Sequence, residues 1–379
     1  LRSSRRPAVL LAIVLVVWAG GGCGIPGGSV ATTGYPVTTV RSTTTVPLPD
    51  QFSTTSTSSS TLPPGDLVLG FAGDTAFTDG LAEGEPLAAV SELTGAPDFM
   101  AVNLESVVAE DGVGEKAEKE FTFLSPPTSV GPLRLAGIDL VGTANNHILD
   151  FGAEGMSRTR ELLEGGGLEV VGTGGDDQAA YQPVVLEAIG RRVGFLSFSR
   201  ILETPEWAAA PGRPGVAAAD DEALPRTIDA ITAALLQSDL VVVLVHWGIE
   251  LDSCAAPRQR EIARQWIEAG ASLVVGSHPH VLQGLELIDG GAVLYSAGNF
   301  VFASARGPTA DTAVFTFRFD AAGLAEVTAT PLLLVDGKPQ PAGAEDSSRI
   351  LAELGARSFG WDFATGIAEP TPASGLCGD

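Results

Sequence analysis

"VVGSHPHVLQG", residues Val274 to Gly284, sets two histidines two apart directly after an apolar, β-branched run. The chain has only four histidines in 379 residues. The other two, His147 and His246, also follow apolar runs, in "IDLVGTANNH" and "DLVVVLVHWG". Continuous runs of this kind suit strands buried on both faces. The pattern recurs in "DLVLGFAGD", ending at Asp74, in "FMAVNLE", ending at Glu105, and in "AVLYSAGNF", ending near Asn299. Helical patterns fit between the runs. "GAEGMSRTRELLEGGG" closes on a glycine cap signal. "PRQREIARQWIEAG" has Pro257 at its start, Gly270 just past its end, and Ile262, Trp266 and Ile267 on one face. Strand–helix alternation predicts an α/β sheet domain.

In such sheets, sites form beyond the carboxyl ends of the strands. Asp74, Glu105, Asn145, Asn146, His147, His246, His278 and His280 all fall there. Any one of them alone reads as a satisfied core or loop residue. Together they gather every histidine of the chain with two carboxylates. Imidazole with carboxylate suits zinc, manganese or iron. A dinuclear site needs a bridging carboxylate and several nitrogens. It would orient a phosphoryl or similar ester group, activate water, and stabilise the attacking and leaving oxygens.

Six segments, "GD" at Gly73-Asp74, "NLE" at Asn103 to Glu105, "NNHILDFG" at Asn145 to Gly152, "HWGIE" at His246 to Glu250, "GSHPH" at Gly276 to His280 and "YSAGNF" at Tyr295 to Phe300, resemble in order the CapA capsule-synthesis family. That family is associated with poly-γ-glutamate capsule production or export, and is in turn similar to calcineurin-like metallophosphatases. The resemblance implies an α/β fold with a two-sheet sandwich flanked by helices (αββα). It implies one or two divalent metal ions (Mn, Zn or Fe). Asp74 matches the initial acid and Glu105 the bridging acid. Asn146, His246, His278 and His280 match further metal ligands, and His147 the group that protonates the leaving oxygen. Two departures stand out. Ala76 occupies a place where such phosphatases carry histidine, and the bridging acid is glutamate instead of aspartate. A one-metal site, a weakened second site and a site that only binds all remain open.

Other positions carry alternatives. Asp150 either orients His147 or caps a helix. Glu250 either lines the pocket or is a solvated loop carboxylate. Asn145 is a candidate substrate contact. Tyr295 and Asn299 either touch substrate or hold the loop after the last strand, and Asn299 in "AGNF" also reads as a turn residue. Trp247 is packing or a pocket wall. Gly73 and Gly276 suit tight turns at strand ends.

The termini are of a different character. Arg2, Arg5 and Arg6 precede the apolar "PAVLLAIVLVVWA", and "GGGC" ends at Cys23. This is the pattern of a secretory signal segment over residues 1–23. Its apolar run is short of the roughly 20 residues a spanning helix needs. Small residues before a cysteine resemble a bacterial lipobox, which implies cleavage before Cys23, a lipid anchor there, and a place on the extracytoplasmic face of the cell membrane. Gly20 departs from the usual aliphatic, and ordinary secretion or an uncleaved anchor are the alternatives. Residues 24–65 are rich in Thr, Ser, Pro and Gly and cannot offset their ordering entropy by burial, so they read as a flexible stalk. The folded domain is expected over 66–361 and a loose tail over 362–379. "AVFTFRFD" and "LAEVTATPLLLVDG" predict antiparallel strands, and "SSRILAELGARS" a closing helix. Cys254 and Cys377 can pair outside the cytoplasm, though two cysteines alone do not establish it.

The net charge of -24 argues against nucleic-acid binding, which needs a basic face. No glycine-rich phosphate loop with a following lysine appears, which argues against ATP-driven polymer synthesis by this chain. The expected function is metal-dependent hydrolysis in cell-envelope or capsular polymer metabolism. The expected partners are an anionic envelope polymer or a phosphoester, the membrane through its lipid anchor, and capsule-synthesis membrane proteins. The alternative is a non-catalytic metal-dependent binding or assembly component of a polymer synthesis and export complex.

Overall fold

The structure, a computed structural model, describes residues 65–371 and 375–377. The signal segment, Cys23 and all but the last residue of the 24–65 stretch lie outside the described residues. Among the described residues no helix is long and apolar enough to cross a membrane.

Two main sheets account for the fold. The first contains β1 (Leu67–Thr75), β2 (Phe99–Leu104), β3 (Leu140–Gly142) and β4 (Glu169–Val171). The second contains β5 (Val184–Ala188), β6 (Arg191–Ser199), β7 (Leu240–His246), β8 (Leu273–Ser277), β9 (Leu285–Ile288) and β10 (Gly291–Leu294). The chain then returns to the first sheet through β11 (Asn299–Val301), β12 (Asp311–Asp320), β13 (Gly323–Val335) and β14 (Lys338–Pro341). The first sheet runs β14-β13-β12-β1-β2-β3-β4, with β11 also paired to β1, and the second runs β9-β10-β8-β7-β6-β5. Strands β1 to β4 are mutually parallel, as are β6, β7, β8 and β10. Antiparallel strands, β12 to β14 in the first sheet and β5 and β9 in the second, flank them.

Among the described residues, five helices of six residues or more flank the sheets: α1 (Val130–Leu135), α2 (Gly152–Gly165), α3 (Leu224–Leu235), α4 (Pro257–Glu268) and α5 (Ala344–Arg357). Three cores show the layering. Leu69, Phe71 and Leu140 of the first sheet share one cluster with Phe195, Val242 and Leu273 of the second, so the sheets pack face to face. Leu133 and Leu163 of α1 and α2 pack on the outer face of the first sheet with Val102 and Val141. Ile231, Ile262 and Trp266 of α3 and α4 cover the outer face of the second with Val241 and Val243. Alternate residues of each strand thus face a sheet on one side and helices on the other, which is why the runs are apolar throughout. The result is the expected αββα two-sheet sandwich.

Beyond Trp361 the chain departs from the expected loose tail. Trp361–Asp362 pairs with Glu369–Pro370, and Phe363 is fully buried. Leu376 N donates to Ala356 O at 2.6 Å, and Cys377 is disulfide-bonded to Cys254. Pro and Gly composition suggests looseness, but one buried aromatic and one covalent link suffice to hold a short segment. The bond joins residues 123 apart in sequence. Replacing both cysteines by serine is expected to cost about 2–5 kcal/mol in a urea titration, with reductant having the same effect on the native chain.

Candidate metal centre

Strand register does most of the assembly. Asp74 on β1 sits beside Asn103 of β2 and Asn299 of β11. His246, the last residue of β7, sits beside Ser277 of β8 and Ser199 of β6. The two sheets meet at this end, where Asp74 Oδ2 accepts from the His278 backbone N–H at 3.0 Å. Glycine permits the close approach. A methyl group at Gly73 would overlap the Gly298 carbonyl oxygen, and one at Gly276 would overlap Tyr295 O and Trp247 Nε1. His278 and His280 both have positive φ, 96° and 58°. Side chains rarely adopt that region, and backbone held there marks a loop whose shape is fixed by its surroundings.

Two trios of ligand atoms result, each within 4.8 Å of one another: Glu105, His246 and His278, and Asp74, Glu105 and His280. Glu105 belongs to both. It is fully buried, and neither carboxylate oxygen has a hydrogen-bond partner; His278 Nδ1 is likewise buried and unpartnered. Buried polar atoms are nearly always satisfied, and an unpaired buried carboxylate is costly. Donors of this type, converging and unsatisfied, fit a divalent cation. Asn146 joins the first trio: its Oδ1 lies 2.8 Å from His246 Nε2, which is itself 3.3 Å from Glu105 Oε1.

The surrounding hydrogen bonds orient the ligands, as metal sites require. Asn103 Nδ2 donates to Asp74 Oδ1 at 2.7 Å. His246 Nδ1 lies 3.0 Å from Ser277 Oγ. Asn299 Oδ1 accepts from His280 Nδ1 at 2.8 Å.

Protonation follows from burial and crowding. Burial, then the charge of Asp74, pushes the Glu105 carboxyl up to about 8. Burial depresses His246 to about 3 and His278 to about 2. Burial also opposes charge on His280, but the Glu105 and Asp74 carboxylates outweigh it and raise His280 to about 10. Burial would raise Asp74, yet its hydrogen bond and charge contact with His280 hold it below the usual carboxylate range.

His147 lies at the edge of this cluster. Its Nε2 is 3.9 Å from Glu105 Oε1, its Nδ1 is 2.8 Å from Asp150 Oδ2, and its ring stacks on Phe123 at 4.0 Å. Asp150 therefore orients the imidazole. It does not cap the helix, since α2 starts after Phe151 and makes no side-chain cap. Lys119 Nζ reaches Asp150 Oδ1 at 2.8 Å and Glu203 Oε1 at 3.2 Å, and donates to Asn146 O at 2.6 Å.

The three expected substrate contacts each make hydrogen bonds within the protein. Asn145 is fully buried; its Nδ2 donates to Leu104 O at 2.7 Å, and its Oδ1 accepts from the His147 and Ile148 backbone. It shapes the loop that carries Asn146 and His147. Tyr295 is buried under Trp247, and its hydroxyl donates to Glu286 Oε2 at 2.6 Å. Trp247 is packing, stacked on Trp266. Asn299, fully buried, positions His280 and also donates to Thr309 O at 3.0 Å. Glu250 is exposed, near enough to act electrostatically on Glu105 and His246. Ala76 packs with Phe302 and Leu334, with Phe123 against them, so an apolar cluster occupies that place.

Asn103, Ser277, Lys119 and Phe123 carried no assignment from sequence. The parallel register identifies the first two, as neighbours of Asp74 and His246. Lys119 in "EKAEKEF" reads as one charge in a solvated loop, and nothing local marks it.

Fold and cluster together define a two-sheet α/β protein with a candidate dinuclear metal centre at the strand ends. The family model described as bacterial capsule synthesis protein PGA_cap matches residues 65–304, and the chain belongs to that family. It is 32% identical over 275 residues to the PGA biosynthesis protein CapA of Bacillus subtilis, covering 72% of this chain and 71% of that one. It is 32% identical over 261 residues to the capsule biosynthesis protein CapA of Bacillus anthracis, covering 68% of this chain and 63% of the relative. Among solved structures, a phosphatase of Mycoplasma pneumoniae aligns at TM-score 0.46 and 12% identity, over 73% of this chain and 95% of that one. At that score the description of the fold rests on the sheets of this chain alone.

Proposed function

We propose that this protein is a membrane-anchored, extracytoplasmic hydrolase that uses one or two divalent cations, Mn, Zn or Fe. Its substrate would be a phosphoester or related bond in cell-envelope or capsular polymer metabolism, alongside capsule-synthesis membrane partners. The observation that carries the metal-dependent part of this reading is Glu105: a fully buried carboxylate with both oxygens unpartnered, shared by two ligand trios, and faced by His147 Nε2. Asp74, Glu105, His246, His278 and His280, with Asn146, would hold the cations. A bound cation supplies Lewis-acid stabilisation of negative charge on substrate oxygens. The chain supplies the rest. His147 holds a proton at Nε2, aimed at the cluster, while Asp150 fixes the ring through Nδ1. Phe123 shields the other face of that ring from water.

The test is to load the full chain with manganese or zinc, measure bound metal, and assay phosphate mono- and diesters with and without chelator. Chelator-sensitive hydrolysis supports the proposal. Bound metal without hydrolysis supports a second reading, a metal-dependent binding component, which the apolar cluster around Ala76 favours.

Metal uptake is expected to be pH-dependent. At pH 7 the metal-free group of Asp74, Glu105 and His280 holds at least one proton, because Glu105 and His280 both have raised pKa values. Those protons must leave for the side chains to act as ligands. Raised values also mean that metal-free stability from these groups is lost as pH climbs towards 8 and 10. Metal affinity is therefore expected to rise at least about tenfold per pH unit between pH 6 and 8, with proton release visible in calorimetry across buffers of different ionisation enthalpy. Affinity that is flat or falls with pH would contradict the assigned ligands.

A further inference from the structure

Leu251, beside the metal cluster, combines two unfavourable features. Its φ is 61°, in the left-handed region where a branched side chain is strained and where glycine or asparagine ordinarily sits. It is also 65% exposed, so core packing does not offset that strain. Ile189, the other non-histidine apolar residue at positive φ, is accounted for by the two-residue hairpin turn from β5 to β6. Leu251 lies instead in the longer loop from β7 to α4. Its backbone N–H donates to Pro279 O at 2.9 Å, which ties it to the residue between His278 and His280. A backbone outlier of this kind next to a site points to a use for the side chain.

Leu251 lines a cleft of about 440 Å³, together with His280, Val281, Phe302 and Pro308. That is the size of a small-molecule site. Its His280 end belongs to the second ligand trio. Phe302 lies 4.8 Å from the His280 ring and 5.5 Å from Phe123, and Phe123 stacks on His147. An apolar wall therefore runs from His147 past the metal ligands into the cleft. The inner polar groups are already engaged. Asn299 bonds to His280 Nδ1 and Thr309 O, and Thr309 Oγ1 accepts from Arg306 N and donates to Arg306 O. Ser304 and Arg306 are exposed.

We propose that the site takes a phosphoester of an apolar, chain-like alcohol, with its phosphate at the metal cluster and its hydrocarbon in this cleft against Leu251, Val281, Phe302 and Pro308. The inference rests on the reading of the cluster as a metal-dependent phosphoester site. A sugar or nucleoside would lay polar groups against these side chains without partners, at the loss of their hydrogen bonds to water. A hydrocarbon has none to lose, and it gives Leu251 an apolar partner.

The test is calorimetric titration of the full, manganese-loaded protein, its metal content measured, with ethyl-, butyl-, hexyl- and octylphosphonate, whose C–P bond an esterase does not cleave. Affinity is expected to rise at least about twofold per methylene, against about fourfold for complete burial. Leu251→Asn is expected to weaken octylphosphonate at least about fivefold and ethylphosphonate less than about twofold. Its thermal melting should stay level or rise, because asparagine tolerates the left-handed backbone. Equal affinity along the series, or a Leu251→Asn protein that keeps the full rise, would overturn the proposal. So would octyltrimethylammonium binding as tightly as octylphosphonate, or octylphosphonate binding equally well without metal. Tighter binding of nonanoate would overturn the choice of phosphate. Leu251-dependent binding to phosphatidylglycerol vesicles, with no alkyl-length effect in solution, would make this rim a membrane contact instead. A protein that takes up no metal would overturn this inference together with the reading it rests on. A metal-loaded protein that binds phosphonates by alkyl length but hydrolyses no ester fails only the hydrolase proposal.

Discussion

A Glu105→Gln protein is expected to lose bound metal from both positions at once, and to be at least as heat-stable as the native chain when both are metal-free. The two outcomes have one cause. Glu105 is the only side chain common to both ligand trios, and its buried oxygens have no protein donor to stabilise their charge. The carboxylate is thus a liability to the empty fold and an asset only when a cation is bound. Glutamine nearly preserves its shape and removes the charge. At metal concentrations about a hundred times Kd, the native chain should gain about 2.7 kcal/mol of stability and Glu105→Gln almost none. Thermal melts with and without manganese, beside elemental analysis, read both quantities. A structural carboxylate would give the opposite pattern: lower metal-free stability and no change in metal response.

Second in size is the loss expected for His147→Ala: a fall in kcat of about 10²–10⁴ with metal content unchanged. The ring approaches Glu105 through Nε2 at 3.9 Å but belongs to neither trio. Its Nδ1 is already engaged by Asp150 at 2.8 Å. That arrangement suits a proton donor more than a ligand. Loss of metal together with activity would make His147 a ligand instead. Retention of activity would remove it from the chemistry.

The parts of the fold legible in sequence were those with a strong period. Strands β1, β2, β3, β7 and β8 are nearly pure apolar runs with a polar residue at the exit, and α2 and α4 have clear end signals. Strand β6 was not recognised. It lies between β5 and β7 in the second sheet, but "RRVGFLSFS" opens on two arginines and ends on serine, so neither its start nor its end stands out. Helix α3 was missed because "LPRTIDAITAAL" lacks a glycine stop. In the site, the chemistry of the side chains identified the ligand candidates, because four scarce histidines at strand ends are hard to explain otherwise. Direction was not legible. Tyr295 and Asn299 flank the same turn as plausible contacts, yet one points into the Trp247 packing and the other holds His280. Such differences depend on which sheet each residue faces, and that emerges only when both sheets are assembled.

Anomalous diffraction from crystals of the manganese-loaded chain tests the metal centre most directly. Two peaks are expected, one on each side of the Glu105 carboxylate, the first within reach of His246 and His278 and the second within reach of Asp74 and His280. A single peak at the first pair would mean that the apolar cluster at Ala76 has cost the second position. No peak at Glu105 at saturating manganese or zinc would contradict the assignment of a metal centre altogether.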